Sequence, residues 1–172
     1  MNKFNLNKID YINISIVLIL IFSRLIPHPP NFTPVIAVAV LSNYFFKNIY
    51  MSLSVLFISL FLSDLMIGLY KNMLFVYFSI FVVSIIFFIY LRFVNYKNLL
   101  FASFLGSLIF FFISNFGVWL LGNLYEKNLD GLLECYFLAI PFFKNTILST
   151  TFYTFLTFFC LDFLKKRIEL YN

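Results

Sequence analysis

Arg24-Leu-Ile-Pro27-His28-Pro29-Pro30-Asn31-Phe32-Thr33-Pro34 holds four of the chain's five prolines and its only histidine. Each proline fixes φ, removes a backbone donor and drives the preceding residue toward extended conformations. Three of them fall at 27, 29 and 30, so no helix runs through the stretch. On both sides the sequence is apolar, with runs at Tyr11–Phe22 and Val35–Phe46. Non-helical backbone between two membrane segments has to be buried in protein, line a cavity or lie at the interface. The fold turns on which of these this stretch does.

The composition decides the solvent. The chain is 63% hydrophobic and 11% charged, with a mean hydropathy of +0.98, whereas a soluble domain carries about 25% charged residues. A soluble fold of 172 residues has no surface on which to place 27 Phe. The expectation is an all-α integral membrane protein. Cys135 and Cys160 have no histidine partner nearby and make neither a metal motif nor a redox pair. A single histidine excludes a multi-His metal site, and no cofactor is implied. The net charge of +5 sits in short loops, where it sets topology and does not point to nucleic acid.

Working outward from the proline stretch, the run Tyr11–Phe22 reads as the first span. It resembles a signal peptide only at its basic start, since no small-residue cleavage site follows. Val35–Phe46 is twelve residues, or about 18 Å of helix, short for a hydrocarbon core of about 30 Å. It reads as a second span that borrows residues at both ends. Its Ala37 and Ala39 suit close helix approach. Further spans follow at Ile49–Tyr70, Met73–Val94, Leu99–Leu121 and Phe142–Leu164. Between the last two lie a polar loop, Asn123–Glu134, and a short apolar piece, Leu133–Ile140, stopped by Pro141. That short piece reads as an interfacial or re-entrant turn. The expectation is one domain, 1–172, with about six transmembrane helices.

Lys and Arg are retained on the cytoplasmic side. With the N-terminus inside, the inner segments hold Lys3, Lys8, Lys47, Arg92, Lys97, Lys165, Lys166 and Arg167. The outer ones hold Arg24, Lys71, Lys127 and Lys144. Both termini are therefore expected to face the cytoplasm, in the inner membrane of a cell.

In that orientation the polar residues gather on the outer side: Arg24, His28, Asn31, Thr33, Asp64, Asn115, Trp119, Glu126, Asp130, Glu134, Tyr136, Lys144 and Asn145. Such one-sidedness suggests a site opening outward. Asp64 is the sharpest, because an ionisable group inside a span is costly and turns toward an interior or cavity. It reads as a site residue, as a partner for Arg24 at the same depth, or as both. His28 reads as a proton carrier, a ligand donor or a loop-ordering residue. Asn31 reads as a cap of the short second helix or as a ligand contact. Asn115 seeks a partner, between helices or in a ligand. Trp119 reads as an interface-belt aromatic or a ligand platform. The candidate solute-binding set is Arg24, His28, Asn31, Asp64, Asn115, Trp119, Glu134, Tyr136 and Asn145. No Ser-His-Asp arrangement, paired carboxylate or Gly-rich phosphate loop is legible, so no enzyme is expected.

The segments Arg24-x-x-Pro27-His28-Pro29-Pro30-Asn31-Phe32-Thr33-Pro34-Val35, Ser63-Asp64-x-x-x-Gly68, Ser114-Asn115-Phe116-Gly117-Val118-Trp119 and Gly131-Leu-Leu-x-Cys135-Tyr136-x-x-Ala139-Ile140-Pro141-Phe142-Phe143-x-Asn145-Thr146 resemble an uncharacterised bacterial family of small polytopic membrane proteins. That family is similar to the substrate-binding S-components of energy-coupling-factor transporters, which take up vitamins. The resemblance implies a small-molecule solute captured from outside and a transmembrane coupling subunit served by ATPases. It also implies that the loop between the first two spans gates the site. The small-residue motif of those proteins lies in the first span as Ala-x-x-x-Ala, whereas Ala37 and Ala39 lie in the second as Ala-x-Ala. The alternative expectation is a structural or assembly subunit of a membrane complex, with the proline stretch docking a partner. A membrane enzyme using His28 with Asp64 or Glu134 would need those groups within reach of one point.

Overall fold

The computed structural model describes residues 8–46, 48–91 and 95–170. Among them are eight helices and no strand: α1 (Lys8–Leu25), α2 (Val35–Val40), α3 (Ser42–Phe45), α4 (Ile49–Ile67), α5 (Met73–Tyr90), α6 (Tyr96–Leu121), α7 (Leu129–Leu138) and α8 (Ile140–Leu170). Three helices, α4, α5 and α6, are long and apolar enough to cross a membrane. The pair α7 and α8, bent by 48° at their junction, makes a fourth if taken as one span. Of the basic residues behind the expected orientation, Lys3, Lys47 and Arg92 lie outside the described residues.

Helix boundaries follow local chemistry. The Asn48, Asn95 and Asn128 side chains cap α4, α6 and α7, accepting from the backbone N–H groups of Tyr50 (2.8 Å), Asn98 (2.9 Å) and Gly131 (2.8 Å). Each occupies an orphan donor of the first turn. Helix α4 ends at Gly68, whose φ of 116° is open only to glycine at little cost. Pro141 is the second residue of α8, where a missing N–H costs no helical bond. The sequence had it stop the preceding apolar piece. It instead opens the last helix, and the break comes at Ala139, just before it.

The second apolar run departs most from expectation. It forms two short helices broken at Leu41, the first of six residues, or about 9 Å. Every residue of α2 is buried. It touches α4, α5, α6 and α8, so it stands inside the bundle as a central peg and not beside it. Around it α1 packs on α4, α5 on α6 and α6 on α8. Ala37 and Ala39 are 1% and 0% exposed. Their small size serves close packing within this chain, and in this conformation neither is presented to a helix of a partner protein. Gly106 serves the same end on α6: a Cβ there would stand 2.8 Å from Val40 Cγ2.

The outer coat is apolar and the interior is small and hydroxylic. Phe61, Met66, Phe78, Phe101, Phe112 and Phe152 are exposed, as befits residues facing lipid. Inside lie Ser52, Ser59, Ser63, Ser79, Ser84, Ser103, Ser107, Ser149, Thr146, Thr150 and Thr154. Many donate to carbonyls one turn back in their own helix, as Ser59 does to Leu56 and Ser107 to Ser103, both at 2.8 Å. Their small size lets backbones approach, and the hydroxyls of Ser52, Ser84, Ser103, Thr150 and Thr154 are left without a hydrogen-bond partner among the described residues.

Candidate functional site

The proline stretch forms the loop from 26 to 34 and covers one end of the bundle. Phe32 N–H donates to the Pro29 carbonyl at 3.0 Å, closing a turn with Pro30 and Asn31 at its centre. Asn31 has φ 62°, in the left-handed region. Proline followed by asparagine suits a turn that needs fixed φ and then positive φ. Asn31 therefore does not cap α2. The cap position is Pro34, which contributes no side-chain bond, and Asn31 lies three residues too early.

Two anchors hold the loop down. On one side, Asn145 Nδ2 donates to the Pro30 carbonyl (3.2 Å) and Ser149 Oγ to the Asn31 carbonyl (3.1 Å), both from α8. Phe32 rests on Tyr153 and Phe152 at ring-centroid distances of 5.8 and 6.4 Å. On the other side, Arg24 at the end of α1 reaches α4. Its Nη2 donates to Asp64 Oδ1 at 2.6 Å, and its Nη1 to Ser63 Oγ (2.6 Å) and the Leu60 carbonyl (3.2 Å). The Tyr77 hydroxyl of α5 donates to the other Asp64 oxygen at 2.9 Å. Asp64 is 0% exposed, while 15% of the Arg24 side chain is. The carboxylate sits behind the guanidinium with both oxygens occupied, which is what allows a charge to remain in this interior.

Beneath the loop lies a cavity of about 630 Å³, within the usual range for small-molecule sites. Its polar wall is Arg24, His28, Asn31, Thr33, Tyr70, Asn72, Ser114, Asn115, Tyr125 and Cys135. The rest is aliphatic and aromatic, including Ile36, Ile80, Phe110 and Phe142. Contributions come from α1, the loop, α2, α4, α5, α6, the 122–128 segment, α7 and α8.

Four of the nine residues singled out in the sequence, Arg24, His28, Asn31 and Asn115, border the cavity. His28 Nδ1 makes a 2.8 Å hydrogen bond to the Pro29 carbonyl beside it and is exposed. Asn115 Nδ2 donates to the Phe111 carbonyl at 2.8 Å. The other five stand off the wall. Asp64 lies behind Arg24. Trp119 follows the lining residue Val118 and donates from Nε1 to the Glu126 carbonyl (2.9 Å), with Lys127 over its ring. Glu134 is exposed on α7. The Tyr136 hydroxyl donates to the Phe112 carbonyl at 2.9 Å. Asn145 ties the loop. Tyr70, Asn72 and Tyr125 were not singled out. The first two sit in the short Gly68–Asn72 connection, which read only as the close of a span. Burial, with the charge of Glu134 and the Cys135 thiol nearby adding to it, raises Tyr125 above the usual phenol range. It stays a protonated donor at neutral pH.

The family model that matches covers residues 4–171. The chain belongs to DUF6580, a family of unknown function. Comparison with curated proteins and with solved structures gives no match. The site of this DUF6580 chain therefore has to be read from its chemistry. Among the described residues no group of three or more His, Cys, Asp or Glu stands close enough to hold a metal ion. What the wall offers is hydrogen bonding by amides and hydroxyls over an apolar floor. Such a wall has the chemistry to orient and hold a small molecule.

Proposed function

We propose that the protein is a membrane-embedded solute-binding protein of the S-component kind. It takes a small micronutrient, a vitamin or a precursor, from the outer side of the cytoplasmic membrane for import. The observation that carries this reading is the roughly 630 Å³ cavity capped by the proline loop, with polar groups converging on it from α1, the loop, the 68–72 connection, α6, the 122–128 segment and α7. In the proposed topology both termini are inside and six segments cross: α1, α2 with α3, α4, α5, α6 and α8. Every element then meets the cavity at its outer end. The loop, held by Arg24 on one side and α8 on the other, is the gate. With no phosphate-binding loop in its own sequence, the chain would draw energy from a coupling subunit with ATPase partners. Because Ala37 and Ala39 are inside the bundle, that subunit would meet the lipid-facing surface.

Purification from native membranes in mild detergent tests the reading. Mass spectrometry of an extract should identify a small molecule near one per chain, and gel analysis should show co-purifying ATPase subunits. Asp64→Ala should lose the molecule. If neither a molecule nor ATPase subunits come with the wild type, the reading fails and the structural or assembly alternative takes its place.

A further inference from the structure

The cavity wall also constrains the solute's charge. Resting on the solute-binding reading above, we propose that the solute is uncharged and is recognised through an amide-like edge, a donor and an acceptor side by side as in a lactam, ureide or related heterocycle. Three observations carry this. First, among the described residues the only one on the wall with a permanent charge is Arg24, and Asp64 cancels it at 2.6 Å. No Asp or Glu among the described residues borders the cavity. A charged solute would find no free counter-charge there, and burying an unpaired ion is costly. His28, the one other titratable base on the wall, is exposed and already bonded within the loop.

Second, three carboxamides border the space from three separate elements: Asn31 from the loop, Asn72 at the head of α5 and Asn115 from α6. Only Asn115 makes a side-chain bond, and through one amide hydrogen, to Phe111. Its Oδ1 and the side chains of Asn31 and Asn72 have bonding capacity left. A carboxamide presents a donor and an acceptor side by side, and its natural complement is another amide edge. Third, the rest of the surface is apolar and includes Ile36, Ile80, Phe110 and Phe142, which suits a ring body.

The test uses the full-length protein in lipid nanodiscs and the fluorescence of Trp119, the chain's only tryptophan, which adjoins the wall residue Val118. Three matched probes are titrated: 2-quinolone (a neutral lactam), quinoline-2-carboxylate (an anion) and quinolin-2-ylmethylammonium (a cation). The lactam should bind at least about tenfold more tightly than either ion. Asn115→Leu should weaken it by about tenfold with an unchanged melting temperature. Asn72→Leu, in a connecting segment, gives a second variant whose folding is independent of the α6 packing. An ion that binds as tightly as the lactam overturns the charge assignment and leaves the pocket standing. Lactam binding untouched by both variants overturns the amide assignment. Failure of all three probes overturns the inference, and the broader reading falls with it only if no small molecule co-purifies from native membranes.

Discussion

Two cavities of similar size invite comparison. The one under the proline loop has about 630 Å³, and a groove between α5 and α6 has about 500 Å³. The groove is bordered by Ile86, Phe87, Tyr90, Leu91, Asn98, Phe101, Ala102 and Leu105, all from the ends of two neighbouring helices and the residue after α5. The loop cavity draws polar groups from elements far apart in sequence. Volume alone does not make a site. A groove between two apolar helices is what imperfect packing leaves and what lipid chains fill. The loop cavity, on which an arginine, three carboxamides and several hydroxyls converge, is lined for hydrogen bonding as well as for packing.

The largest effect that can sharpen this contrast lies at Arg24. Arg24→Met would strand Asp64 in the interior and should destabilise the protein by roughly 3–5 kcal/mol, read as a lowered thermal midpoint in nanodiscs. The double variant Arg24→Met/Asp64→Leu should recover most of that loss. If the single variant melts like the wild type, the ion pair does not hold the cavity wall. The packed layer around α2 comes next. Gly106→Ala brings a methyl to 2.8 Å from Val40 Cγ2 and should cost roughly 1–3 kcal/mol by overpacking, measured in the same melt.

These two sites show how unevenly the sequence spoke. Its solvent and its helical class were legible, because so much Phe, Ile and Leu admits no soluble surface. The pairing of Arg24 with Asp64 was legible as one of two readings, because two opposite charges at one depth seldom stay apart. The path of Val35–Phe46 was not legible. A twelve-residue apolar run looks the same whether lipid or protein surrounds it. The signal that separates the cases is spread over the serines and threonines of four other helices, which were not read as core. At the site, Asn115 was visible as an amide inside a span. Asn72 and Tyr70 were hidden because polar residues at a helix end are expected whether or not a cavity lies beside them. Asn31 was misjudged as a cap because a turn with positive φ and a helix start favour the same residue type.

Smaller effects separate the two cavities further. Asn31→Ala should cost up to about 1–2 kcal/mol, because asparagine tolerates the left-handed region better than alanine does, and Asn31→Gly should be close to neutral in the same melt. If both variants lower the midpoint equally, the amide and not the backbone holds the turn. At the groove, Phe101 is 65% exposed, and Phe101→Ala should change stability by no more than about 0.5 kcal/mol and leave probe binding unaltered.

Native mass spectrometry of the protein released from its own membranes sets the cavities against each other most directly. The wild type and Phe101→Ala should each carry one extra small-molecule mass, and Asn115→Leu should have lost it. An extra mass that survives Asn115→Leu and vanishes with Phe101→Ala, or is absent from the wild type, would contradict the assignment of the cavity beneath the proline loop as the solute site.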